Sequence, residues 1–253
     1  MPPVRPGPVI GLFLQFAMLA LLSAAVGLGH AGWAAGIAYA VGSGALLTRA
    51  MHTAGLVAFG PADLVTQTRA ALVGCVTALT AVSFTGDVPV PVLVGITVVA
   101  LVLDAVDGKV ARSTATASAF GARFDMEVDA FLILVLSCYV APSAGWWVLA
   151  IGAMRYVYVV ATWLLPWLRA PLFTRYWRKV VAAIQGIVLV AAAADVLPRP
   201  LVAVALAGAL ALLTESFGRD VVYLWRRRAG ALPQARVDVA GSAEGTEALV
   251  QKL

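Results

Sequence analysis

Apolar runs of roughly 17 to 25 residues, each long enough to cross the ~30 Å hydrocarbon core of a bilayer as a helix, recur along the chain from Val9 to Tyr223. Short breaks carrying glycine, proline or charge separate them: Gly29-His30, Gly60-Pro61, Gly86 to Pro91, Pro142 to Gly145, Pro166 to Pro171 and Pro198 to Pro200. The pattern predicts helical spans at 9–29, 31–47, 62–84, 90–112, 119–141, 145–168, 178–194 and 201–225. Backbone polar groups in lipid must be satisfied within the segment, and helices do that. The predicted class is all-α, a polytopic integral-membrane helical bundle. The run at 9–29 exceeds the ~7–15 residues of a signal-peptide core and another span follows at once, so it is expected to be an uncleaved helix.

Composition narrows the picture. With 253 residues, 62% hydrophobic and 12% charged, the chain has about half the charge of an ordinary soluble domain and leaves no soluble domain to carry chemistry. The formal net charge is +5, but the cations fall in short loops, not on a face interleaved with aromatics, so nucleic acid is not an expected partner. They report topology instead. Arg5, Arg49, Arg69, Lys109, Arg112, Arg123, Arg169, Arg175, Arg178, Lys179, Arg219 and Arg226 to Arg228 fall at one set of alternate ends, and only Arg199 at the other. By the positive-inside rule both termini and the loop after Asp104 are expected in the cytoplasm, the expected setting being a bacterial plasma membrane. Cys75 and Cys138 lie inside apolar runs without CxxC spacing and read as small core residues. Beyond Arg228 the segment 229–253 has no sustained apolar period and is expected to be a mobile cytoplasmic tail.

Charge inside such a chain is costly and usually functional, which directs attention to Asp104 to Asp129, DAVDGKVARSTATASAFGARFDMEVD. Residues three or four apart share a helix face. Asp104 and Asp107 therefore lie together, with Gly108 and Ala111 continuing the stripe, and Gly121, Asp125 and Asp129 form a second one. The two helices run antiparallel about the turn near Thr114 to Ser118, and counting outward at 1.5 Å per residue sets Asp107 level with Asp125 and Asp104 level with Asp129. Four converging carboxylates need protons or cations, and an all-oxygen cluster suits Mg²⁺, Mn²⁺ or Ca²⁺. Two divalent ions are the usual arrangement for phosphoryl chemistry. Gly108, Ala111 and Gly121 leave room for a bulky ligand such as a nucleotide diphosphate. A helix-end ionic network with Lys109, Arg112 and Arg123 is the plainer alternative; the matched phase of the stripes and the small residues beside them count against it. Glu127, two residues from Asp125, points away and is left out of the site.

This stretch resembles the CDP-alcohol phosphotransferase family, whose signature is D-x-x-D-G-x-x-A-R, eight residues, then G-x-x-x-D-x-x-x-D. Asp104, Asp107, Gly108, Ala111, Arg112, Gly121, Asp125 and Asp129 fill every fixed position. The resemblance implies a six-helix catalytic core, here 51–228, with the motif on its second and third helices; helices within 1–50 would be an addition of two transmembrane spans. It further implies transfer of a substituted phosphate from a CDP-linked alcohol to an acceptor hydroxyl, with release of CMP. Asp104, Asp107, Asp125 and Asp129 would hold two ions, Mg²⁺ or Mn²⁺, and Asp129 would be the catalytic base. Asp104, Gly108, Ala111, Arg112 and Gly121 would line the nucleotide pocket. A homodimer is the family expectation, and glycine and alanine faces would permit it.

Other segments match the family less fully. Asp63, Thr66 and Arg69 stand at the positions of an N-x-x-T-x-x-R opening with Asp in place of Asn, which would bring Thr66 to the nucleotide pocket; the alternative is an Asp cap with Thr66 packed inward. Lys179 and Gln185 resemble part of G-K-x-K-T-x-x-Q, but Val181 and Ala182 replace the second Lys and the Thr. Arg155, in the middle of a span where arginine costs roughly 2.5–3.5 kcal/mol, is expected to face the cavity and contact phosphate rather than form a structural ion pair. Arg175, Arg178 and Lys179 would steer or bind an anionic acceptor at the mouth. Glu215 and Arg219 read as a local ion pair, and Gln15 as a buried amide bonded to a neighbouring helix.

The function expected is thus metal-dependent phospholipid synthesis with CDP-diacylglycerol as donor, a hydroxyl compound as acceptor and membrane lipid as surroundings. The alternative within the class is a CDP-linked polar alcohol donating to a lipid or a phosphorylated polyol. The rival from another class is a divalent-cation transporter, which would need polar groups continuing to the far side, where these spans are almost wholly apolar.

Overall fold

A computed structural model of the chain describes the backbone of residues 6–53, 61–113, 119–170, 176–228 and 230, and the side chains of 8–53, 63–104, 120–170, 177–228 and 230. The turn at 114–118 and the tail expected at 229–253, apart from residue 230, lie outside the described residues. Within them there are eight α-helices and no strand: α1 (Pro6–Val26), α2 (His30–Thr53), α3 (Pro61–Ser83), α4 (Val90–Ser113), α5 (Ala119–Ala144), α6 (Leu149–Leu164), α7 (Tyr176–Ala193) and α8 (Arg199–Arg228). Five of them, α1, α2, α3, α6 with its preceding turn, and α8, are long and apolar enough to cross a membrane, and α4 adds a shorter apolar stretch, Val90–Asp104. The chain is a polytopic helical membrane protein.

Each predicted span corresponds to a helix, with differences at the ends. The sixth is split: a 3₁₀ turn at Trp146–Val148 leads into α6, which stops before a second one at Pro166–Arg169. Pro166 cannot donate a backbone hydrogen bond and disfavours helix in the residue before it. Helix α5 runs past Pro142 to Ala144, and Gly145 at φ 109° makes the turn that follows. Helix α8 spans 30 residues, about 45 Å at 1.5 Å per residue, so its basic end Arg226 to Arg228 extends past a hydrocarbon core.

The hub is α3. It packs against α1, α2, α4 and α5, and 61% of its span is buried, against 22% for α1, α2 and α8 and 17% for α6. Val73, Val76, Ala78 and Leu79 from this helix join Leu93 and Ala100 from α4, Leu132 and Leu136 from α5, and Leu189 and Leu206 from α7 and α8 in one core. Leu19 and Leu22 of α1 belong to the same core, so the leading pair of helices is packed into the bundle. Outward-facing Phe13, Leu21, Leu46, Val157, Leu164 and Val204 are exposed, as lipid-facing positions should be. Exposed Trp146 stands at one end of the bundle and Trp163, Trp177 and Trp225 at the other, the placement of aromatic belts.

Small residues set the helix separations where there is no water to drive packing. A Cβ at Gly152 of α6 would lie 2.5 Å from Leu134 Cα and 3.0 Å from Ser137 Oγ on α5, so the two backbones meet there. Between α1 and α3 the arrangement is reciprocal: the Gln15 amide fills the space over Gly74, and the Gln67 amide fills the space over Gly11. Gln15 is buried as expected, but its Nε2 finds no hydrogen-bond partner among the described residues; it packs against a glycine surface that offers a fit and no acceptor.

The close approach at Gly152 gives a direct test. Gly152→Ala should lower unfolding stability in detergent by about 1–3 kcal/mol, because the clash is with backbone. Gly208→Ala, on an α8 face with nothing within 4 Å, should be neutral or slightly stabilising, since alanine is the better helix former. Equal effects at the two sites would contradict this packing.

Candidate functional site

Charge gathers where the first turns of α3 and α5 meet the last turns of α4. Arg69 enters from α3 and is 1% exposed. Its Nη1 lies 3.0 Å from Asp104 Oδ1 on α4 and also donates to Asp125 on α5, while Nη2 donates to Asp129 one turn further along α5. The three carboxylates are between 30% and 43% exposed, so the arginine forms the floor and the acids the open side. Each can offer one oxygen such that all three lie within 4.8 Å of one another. Among the described groups, negative charge here exceeds positive.

Local sequence explains the geometry. Asp125 and Asp129, four apart, project from one face of α5, and Phe124 and Val128 beside them turn to the core. Asp104 ends the apolar stretch of α4, where the chain leaves the core. Thr66, three residues before Arg69 on the same face of α3, is buried at 3% exposure. Asp63 lies in the first turn of α3, where a negative charge complements the helix dipole.

The three aspartates Asp104, Asp125 and Asp129 do converge, but Asp104 shares the Arg69 Nη1 with Asp125 while Asp129 takes Nη2, where counting along the helices pairs Asp104 with Asp129. The side chains of Asp107, Gly108, Ala111 and Arg112 lie outside the described residues, although the backbone of α4 continues through them. Gly121 sits one turn before Asp125 and is partly exposed. The residue that sequence reasoning did not bring to the centre is Arg69, noted only as the end of a partial motif. The available signal was a lone arginine within an otherwise uncharged stretch of α3, since intramembrane arginine usually has a carboxylate partner.

The basic residues expected near the acceptor are arranged differently from one another. Arg155 of α6 pairs with Glu127 of α5 at 2.5 Å, so the side chain set aside as pointing away from the aspartates is the one holding this arginine. An ion pair is what the structure records at Arg155, where a cavity-facing phosphate contact was expected. Arg178 of α7 donates to Asp220 of α8 at 2.8 Å; Lys179 is exposed; Arg175 lies outside the described residues. Gln185 is fully buried and donates to the Ala209 carbonyl at 2.9 Å, a second α7–α8 tie. Val181 is buried too, which fits a valine where the partial motif has lysine. Glu215 and Arg219 form the local pair expected of them.

The cluster offers carboxylate oxygens that could hold a cation. Three carboxylate oxygens from two helices suit a hard divalent ion, and the burial of a guanidinium beneath them shows how strongly the cluster demands positive charge. Comparison with known proteins gives the family. The profile of the CDP-alcohol phosphatidyltransferase family matches residues 59–214, a stretch that begins just before α3 and ends within α8. Neither curated proteins nor solved structures yielded a match to the chain.

The α7–α8 pair can be tested by a double-mutant cycle. Arg178→Ala should cost on the order of 1 kcal/mol, because it strips a partner from Asp220, whose side chain is 12% exposed. The double variant Arg178→Ala with Asp220→Ala should cost less than the two single changes added. Simple additivity in thermal unfolding would show that the pair contributes nothing.

Proposed function

The chain belongs to the CDP-alcohol phosphatidyltransferase family, whose reaction moves a substituted phosphate from a CDP-linked alcohol to an acceptor, and from that premise we propose a metal-dependent transfer with CDP-diacylglycerol as donor. The observation that carries the proposal is the convergence of Asp104, Asp125 and Asp129 at one end of the bundle, at positions the family signature assigns to metal ligands. Asp104, Asp107, Asp125 and Asp129 would hold two ions, Mg²⁺ or Mn²⁺. When bound, these would neutralise the diphosphate and stabilise charge on the transferring phosphoryl group.

The protein's own groups have distinct tasks in this reaction. Asp129 accepts the proton of the acceptor hydroxyl. The acceptor oxygen bonds to the phosphorus that carries the donor alcohol, the bond from that phosphorus to the CMP oxygen breaks, and CMP departs with the pair of electrons. Thr66, Gly108, Ala111, Arg112 and Gly121 would shape the nucleotide pocket. Arg155, Arg175, Arg178 and Lys179 would present positive charge to an anionic acceptor; for Arg155 and Arg178 this means sharing or leaving their carboxylate partners. Lipid-facing apolar surfaces on the outer helices support a donor whose acyl chains lie in the bilayer while its CDP head enters the charged site. The distribution of lysine and arginine supports a cytoplasmic orientation for the site and both termini. The glycine and alanine content of the lipid-facing helices supports a homodimer.

Asp129→Asn should abolish CMP release from CDP-diacylglycerol, a loss of at least ~100-fold as for removal of a general base, with Mn²⁺ binding reduced only in part. Persistence of CMP release would refute the assignment of the base. Metal uptake into vesicles by this variant, together with absence of CMP release from wild type, would favour transport instead. Arg155→Ala should raise the acceptor KM with little change in the donor KM; unchanged acceptor dependence would remove Arg155 from the acceptor site.

A further inference from the structure

We infer that Arg69 is a resident counter-cation of the catalytic cluster, holding its carboxylates together when no divalent ion is bound and competing with the ions for them. The inference rests on the metal-dependent reading above and adds a positioning residue to it. A guanidinium keeps its charge at any working pH, so the cluster always contains one positive charge of its own. At 1% exposure that charge is fixed by the packing of α3 rather than offered to solvent. Its two terminal nitrogens reach carboxylates on both other helices of the site, Asp104 on α4 and Asp125 and Asp129 on α5.

Two consequences follow from the same contacts. Without an ion, three acids whose oxygens can approach within 4.8 Å repel one another, and the arginine offsets that repulsion while tying α4 and α5 to α3. With an ion, the arginine is a like charge beside it and shares the same three carboxylates. Its removal therefore acts oppositely on the two states: the ion-free protein is weakened and the affinity for ions rises. The carboxylate positions survive such a change because α3, α4 and α5 are also joined by the apolar core, through Val73, Val76, Leu93 and Leu132.

The experiment uses purified full-length protein in detergent, with Mn²⁺ binding followed by electron paramagnetic resonance and unfolding followed thermally in EDTA and in Mn²⁺. Arg69→Gln should unfold at lower temperature than wild type in EDTA, recover more on adding Mn²⁺, and bind Mn²⁺ about tenfold or more tightly. Arg69→Lys, which keeps the charge without the fork of donors, should bind Mn²⁺ within about threefold of wild type and lose part of the EDTA stability. If Arg69→Gln survives purification only in Mn²⁺, the counter-cation role is supported. Should it fail in both conditions, a loss of unfolding temperature for Arg69→Lys that is equal in EDTA and in Mn²⁺ would overturn the inference. Mn²⁺ binding by wild type and Arg69→Gln with equal affinity, or weaker binding by the variant, would overturn it and leave the metal-dependent reading standing. No Mn²⁺ binding by either protein would overturn both.

Discussion

The arrangement of this bundle depends on one electrostatic constraint: carboxylates from two helices share a buried guanidinium from a third. Asp104, Asp125 and Asp129 cannot be brought together in a weakly polar surrounding without positive charge, and Arg69 supplies it from the most buried helix of the fold. This explains why α3 is central. It must lie against α1, α2, α4 and α5 at once, and it does so with small and β-branched side chains such as Val73, Val76 and Ala78. The polar end of the bundle and its apolar core are thus two parts of one packing solution.

Other charged pairs repeat the logic more weakly. Arg155 with Glu127 ties α6 to α5, and Arg178 with Asp220 ties α7 to α8. Each keeps an arginine in place near the end of the bundle where the aspartates open. A phosphate entering there would meet cations that are held but not fully enclosed, for the Arg155 and Arg178 side chains are 26% and 34% exposed. Pre-placed cations lose less conformational freedom on capturing an anion than free side chains would.

Much of this was legible in the sequence, for identifiable reasons. Apolar runs bounded by glycine and proline mark membrane helices clearly, because lipid tolerates few alternatives. The four-residue phase of Gly121, Asp125 and Asp129 marks a shared face because helical geometry is fixed. What periodicity does not give is which helices touch. The spacing sets Glu127 off the aspartate face, but nothing local reveals that α6 packs there through Gly152 and delivers Arg155 to it. Arg69 was missed as the floor of the site because its partners lie 35 to 60 residues away, on helices whose order around α3 no single-chain pattern encodes. The sequence likewise does not reveal how closely α1 is set against α3, through the core residues Leu19 and Leu22 and the Gln15–Gly74 and Gln67–Gly11 fits.

On the proposed function, this charged end of the bundle performs phosphoryl transfer from a CDP-linked alcohol. The most direct test is CMP formation by purified wild-type protein across a panel of CDP-linked donors and hydroxyl acceptors, with Mg²⁺, Mn²⁺ or EDTA. CMP is expected only where donor, acceptor and divalent ion are present together, with CDP-diacylglycerol the preferred donor. CMP formed equally in EDTA, or formed from no combination by protein that is folded and binds the ion, would contradict the proposed function.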